Sequence, residues 1–170
     1  VLAGPDGTVP AEKDLNAQFV AGAAGLASFD AKLNLARTYL PNKGAGIGTL
    51  YPYMLEGYEN DAAGLTQFGT CDVWMDNTLP DDQILDIFRH EYMHVLQCMS
   101  ENQGFDVGYA TSSDTALNGI ERGADAGGYL LGNTFMYYVQ YGPTKGPLRM
   151  SEIVLAEKLL AHFKIAYHVG

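Results

Sequence analysis

The stretch Phe88-Arg89-His90-Glu91-Tyr92-Met93-His94-Val95-Leu96-Gln97 constrains this chain more than any other. On an α-helix, residues four apart lie one above the other on the same face. His90 and His94 can therefore offer two imidazole nitrogens to one metal ion. Glu91 then stands beside an open coordination position, where its carboxylate can serve as general base toward a water that the ion activates. The flanks support a helix. Leu79-Pro80-Asp81-Asp82 reads as a helix start, with proline early and acidic residues in the first turn, where the helix dipole favours them. Ile84, Ile87, Phe88, Tyr92, Val95, Leu96 and Met99 recur at three- and four-residue steps, as one buried face requires. The helix is expected to end before Gly104. The competing reading is a pair of ordinary half-buried histidines, and glutamate at the second position tips the balance toward a metal.

Catalytic zinc takes three protein ligands and leaves a fourth position for water. One arrangement places a third histidine six residues after the second, with a glycine between them. Ser100 and Gln97 stand at those positions here, so it is excluded. The other common source is an acidic residue on a following helix. Glu121 and Asp125, four apart in Gly119-Ile120-Glu121-Arg122-Gly123-Ala124-Asp125, fit it. One carboxylate can bind the ion while the other accepts a hydrogen bond from a ligand histidine and so sets its tautomer.

With these residues in place, the segment from Ile84 to Tyr129, about a quarter of the chain, resembles the gluzincins, the thermolysin-like clan of zinc peptidases. The resemblance implies Zn2+ held by His90, His94 and Glu121, Glu91 as base, and Asp125 as the hydrogen-bond partner of a ligand histidine. One departure stands out: the thermolysin-like pattern has asparagine before the ligand glutamate, where this chain has Ile120. The match is thus to the clan's metal logic, with no single family assigned. Asp125 as the direct ligand, as in aspartate-using zincins, stays open.

Ala124, Gly128 and Gly132 are spaced by four, and Gly127 adds another small residue. Glycine within a helix costs about 1 kcal/mol relative to alanine, so its repetition asks for a reason. Close approach to the helix of His90 is one reason; a glycine-rich loop is the alternative. The aromatic cluster Phe135, Met136, Tyr137, Tyr138 and Tyr141 is expected to finish this helix before Gly142-Pro143, and one tyrosine could support a developing oxyanion.

Elsewhere, two helices are expected over residues 10 to 40. The first starts at Pro10, Gly25 interrupts, and the second runs from Phe29 to Leu40 before Pro41. Residues 47 to 55 and 69 to 75 are β-prone, with Asn60-Asp61-Ala62-Ala63-Gly64 as turn chemistry between them, so a small antiparallel sheet should precede the histidine helix. In zincins an edge strand here binds extended peptide by strand addition. By resemblance Gly69 to Met75 is the candidate strand, against a plain structural hairpin. Cys71 and Cys98 either form a bridge, which would imply an oxidising compartment, or remain two buried thiols. A metal role for Cys98 fails, since eight residues from His90 is about 12 Å along the axis. A last helix is expected to be capped by Ser151 and to carry His162, with His168 near the terminus. Either could assist catalysis as a transition-state stabiliser, or simply face solvent.

The 170 residues suit one domain. A net charge of −10 without a basic stripe argues against nucleic acid, and no apolar run is long enough to span a bilayer. The chain begins at Val1, which suggests a processed or trimmed N-terminus. Together these features describe an α+β, mainly helical, zincin-like single domain over residues 1 to 170. The expected activity is zinc-dependent hydrolysis of amide bonds in a peptide or protein substrate. The expected setting is secreted or extracytoplasmic. The rival is a zincin fold without turnover that serves in binding or structure, for example as a virion or envelope component.

Overall fold

A computed structural model describes residues 12–55, 62–109 and 119–167. The elements, in order, are α1 (Glu12–Ala24), α2 (Phe29–Thr38), a 3-10 turn (Pro41–Gly44), β1 (Leu50–Tyr53), β2 (Gly64–Gln67), β3 (Asp72–Asp76), α3 (Asp81–Asn102), α4 (Ile120–Leu130), α5 (Tyr137–Gln140) and α6 (Met150–His162). This is an α+β fold, mainly helical, whose small sheet comes just before the histidine helix. The helix start read at Pro10 and the histidine at 168 fall outside the described residues.

The long helix α3 forms the centre of the molecule. It packs against α1 and α2 on one side, α4 and α6 on another, and the sheet on a third. Ile84, Phe88, Tyr92, Met93, Val95, Leu96 and Cys98 along it are all buried. Its end follows from one glycine. Gly104 takes φ +69°, while Gly104 N–H bonds Glu101 O at 3.0 Å and Phe105 N–H bonds Ser100 O at 2.8 Å. These are the two bonds of a Schellman cap, which needs a residue able to adopt the left-handed conformation.

The same device corrects one expectation. The helix that begins at Ile120 does not reach the aromatic cluster; it stops at Leu130. Gly132, read above as a packing residue, has φ +110°. Gly132 N–H bonds Tyr129 O at 3.1 Å and Asn133 N–H bonds Gly128 O at 2.8 Å, a second Schellman cap. Of the small residues, Gly127 does serve close approach. A Cβ there would lie 2.2 Å from Met93 Cε on α3. A methyl on Gly128 would instead meet Asn133 Nδ2 at 2.5 Å.

The sheet also differs from expectation. Its strand order is β1-β3-β2, and it is mixed: β1 pairs with β3 in parallel and β2 pairs with β3 antiparallel. The segment Gly69 to Met75, expected as a substrate edge, lies mostly in the central strand, where both sides are already paired. Among the described residues, the sheet edge beside α3 that has no strand partner is β2, which lies outside the two β-prone stretches. Asp76 N–H donates to Ala63 O at 3.0 Å and Cys71 N–H to Gln67 O at 2.9 Å. That parity turns the backbone of Ala63, Leu65 and Gln67 inward to β3 and that of Gly64 and Thr66 outward to the open edge.

Cys71 and Cys98 are bridged, tying the β2–β3 turn to α3. The last helix begins two residues earlier than expected: Arg149 is its N-cap and Ser151 lies inside it. The Glu152 carboxylate accepts from Arg149 N–H at 2.9 Å and so closes the first turn. Among the described residues, no helix is long and apolar enough to cross a membrane.

Candidate metal centre

His90 and His94 stand one turn apart on α3, and Glu121 faces them from the first turn of α4. His90 Nε2 and His94 Nε2 are 3.2 Å apart, and Glu121 Oε2 lies 3.1 Å from the first and 3.0 Å from the second. Among the described residues, this is the group of side chains able to hold a metal ion.

The far nitrogen of each imidazole decides what the near one offers. His90 Nδ1 meets Asp125 Oδ1 at 2.9 Å, and an ionised carboxylate can only accept, so Nδ1 carries the proton. His94 Nδ1 meets Gln97 Oε1 at 2.7 Å. The Gln97 amide is oriented by donation from its Nε2 to Ile120 O at 3.0 Å, which leaves Oε1 to accept from His94. When neutral, each ring therefore aims an Nε2 lone pair at the point where Glu121 aims its carboxylate. Three acceptors that converge without a donor repel one another unless a cation sits among them.

The electrostatics carry the same signature. Burial would push His90 down, yet hydrogen bonds to Asp125 and Glu121 hold it well above the ordinary histidine value. Burial likewise opposes charge on His94, and Glu121 reverses the effect and raises it. Burial would raise Glu121, but His94 and His90 outweigh it and hold the carboxyl far below the carboxylate range. The site demands positive charge, from protons or from a metal.

Asp125 is the supporting carboxylate. Its second oxygen, Oδ2, accepts from Tyr138 N–H at 2.7 Å and Val139 N–H at 3.2 Å, so it joins the His90 ring to the start of α5. The following segment is held by Arg122, which is buried. It forks onto Glu152 at 2.6 and 2.9 Å and donates to Thr144 O at 2.8 Å and Pro147 O at 2.9 Å. On the other flank the Asp86 carboxylate accepts from Phe135 N–H at 3.0 Å. These anchors set the aromatic segment as one wall of a cleft of about 620 Å3.

Glu91 opens onto that cleft beside the three convergent side chains. Burial pushes its carboxyl up, and His94, His90 and the Thr66 hydroxyl offset only part of the rise. The opposite wall is β2, from Gly64 to Thr66, with Phe68 beyond it. Tyr137 and Tyr138 line the cleft, and the Tyr138 ring lies nearly parallel to His90 with centroids 5.9 Å apart. The structure thus brings together His90, Glu91, His94, Glu121 and Asp125.

It does not bring in His162. That side chain is exposed at the end of α6, stacked on Phe105 at 3.9 Å and bonded to Gln103 Oε1 at 2.8 Å, and it is not part of the cleft. A histidine in the last turn of a helix is drawn there by the helix dipole, which needs no catalytic reason. Gln97 and Thr66 are not among the site residues that the sequence predicts. Gln97, three residues past His94 on the same helix, carried a usable signal; Thr66, distant in sequence, carried none. No family model, no curated protein and no solved structure matches the chain.

Proposed function

We propose that this chain is a zinc-dependent metallopeptidase of the zincin type. The observation that carries the proposal is the convergence of the His90 and His94 Nε2 lone pairs on Glu121 Oε2, with both Nδ1 protons already committed to acceptors. Two imidazoles and one carboxylate are a zinc donor set, and bonds of about 2.0 Å in a tetrahedron put ligand atoms about 3.3 Å apart. The observed separations of 3.0 to 3.2 Å are close to that edge. When bound, zinc supplies Lewis-acid polarisation of a carbonyl and lowers the pKa of a water at its open position.

The chain's own residues do the remainder. Glu91 takes the proton from the attacking water and passes it to the leaving amine. Its burial suits that task, because a carboxyl raised toward neutrality both accepts and releases a proton readily. Asp125 and Gln97 hold the two rings in the tautomer that leaves Nε2 for the ion. The outward backbone groups of Gly64 and Thr66 can pair with an extended peptide, and pairing at this edge would run it along the cleft. Lysine and arginine are absent from the described cleft lining, while Leu65, Phe68, Ile87 and Phe135 supply apolar walls. A peptide with an uncharged, bulky side chain near the scissile bond suits such walls. The Cys71–Cys98 bridge favours an oxidising, extracytoplasmic setting.

The test joins metal analysis to turnover. The purified chain should carry about one zinc, lost in His94→Ala. It should cleave members of an internally quenched peptide library, with loss on chelation and a fall of about 10²–10⁴-fold in Glu91→Gln. Failure to take up zinc after addition of the metal would overturn the proposal.

A further inference from the structure

β2 does more than border the cleft. Thr66 Oγ1 lies 2.7 Å from Glu91 Oε2 and 3.2 Å from the Glu91 carbonyl. A hydroxyl has one proton to give, and the shorter contact, to the side-chain oxygen, is the stronger claim on it. Two residues back, Gly64 leaves the space that Glu91 fills: a Cβ there would lie 2.6 Å from Glu91 Cγ and 2.7 Å from Oε1. The strand therefore holds this carboxylate from two sides, by an absent side chain and by a hydroxyl. Glu91 is only 5 % exposed, so water cannot readily replace the threonine.

We infer that Thr66 is a positioning residue for the general base, fixing Glu91 Oε2 so that Oε1 is presented to the reacting water. The inference rests on the metallopeptidase reading and adds to it a residue from outside the metal-binding motif. Thr66 and Gly64 are also the two residues whose backbone groups face the open edge. A substrate paired there would steady the same strand that aims the base, coupling substrate docking to base alignment.

Thr66→Val keeps the shape and the β-preference and removes the donor. The expected result is a fall in kcat of about 10–100-fold, with KM changed by less than about twofold and zinc content unchanged. Thr66→Ser should recover kcat to within about threefold. Gly64→Ala should lower kcat at least as far as Thr66→Val, because its methyl displaces Glu91. A structural role for Thr66 would instead lower zinc content or raise KM, and serine would not rescue it. A double-mutant cycle in thermal unfolding reads the contact without turnover. Thr66→Val should lower the midpoint in the native background and lower it less in the Glu91→Met background. Equal shifts in the two backgrounds, or a Thr66→Val chain with native kcat, would overturn the inference. Loss of activity in Glu91→Gln with full activity in Thr66→Val would overturn it while leaving the metallopeptidase reading intact.

Discussion

Replacing Gly127 by alanine adds one methyl group where α3 and α4 press together. The new carbon would lie 2.2 Å from Met93 Cε, 2.4 Å from Sδ and 2.6 Å from Cγ. Carbon contacts settle near 3.5–4.0 Å, so about 1 Å or more must be found. Met93 is fully buried in a close-packed core, which limits its retreat. Overpacking of this kind costs about 1–3 kcal/mol, and replacing a helical glycine returns about 1 kcal/mol. The net loss of about 0–2 kcal/mol corresponds to a melting temperature lower by up to roughly 8 °C in a chain of this size. Metal affinity should suffer more than stability. Met93 adjoins His94, and Gly127 follows Asp125 by two residues, so separating the helices draws Glu121 and Asp125 away from both rings. We expect zinc affinity to fall at least about 10-fold, read by competition with a chromophoric chelator alongside thermal melting. Met93→Ala in the same chain should restore much of it by removing the obstructing atoms. Native zinc affinity in Gly127→Ala, or no recovery in the double variant, would refute this account of the helix pair.

Glu121→Ala should abolish stoichiometric zinc, whereas Asp125→Ala should weaken zinc by about 10–100-fold; full occupancy in the first and none in the second would reverse the two roles. In the metal-free chain His90 and His94 are raised above 6.5, so the stability they lend is present below that value and lost as pH rises through the raised native values. Glu121 acts in the opposite sense: its depressed native value lends stability above 4.5 that is lost as pH falls. Melting of the metal-free chain should therefore worsen from about pH 6 toward pH 8, and zinc should flatten that decline; a metal-free chain that gains stability over this range would contradict the site electrostatics. Removing the bridge with paired Cys71→Ala and Cys98→Ala substitutions frees a link spanning 27 residues. The chain-entropy cost is about 3.5 kcal/mol, a fall in melting temperature of roughly 7–14 °C by differential scanning calorimetry.

Much of this centre can be read along one helix. The spacing of His90 and His94, the apolar steps from Ile84 to Met99 and the stop at Gly104 all depend on contacts within a few residues, and each has a recognisable local pattern. Gly132 shows how such a pattern is misread. A glycine in line with Ala124 and Gly128 looks like a packing residue, and its positive φ, which ends α4, is not visible in the spacing. His162 carried a pattern shared by ordinary helix ends, and nothing local distinguishes that from a catalytic role.

The amino-acid order alone determined the helical, acidic character of the chain, the pairing of two imidazoles on one face and the two candidate carboxylates four residues apart. Which carboxylate faces the Nε2 atoms, and which faces Nδ1, was decided by how α4 lies across α3 at the contact of Gly127 with Met93. Strand order was decided in the same way. A strand's place at the edge or the centre of a sheet depends on where distant segments pair, so β3 took the middle and β2 was left open beside Glu91. Short-range periodicity fixes the direction of a side chain around its own element. The point at which side chains from separate elements meet depends on packing between them, and only the folded chain contains that information.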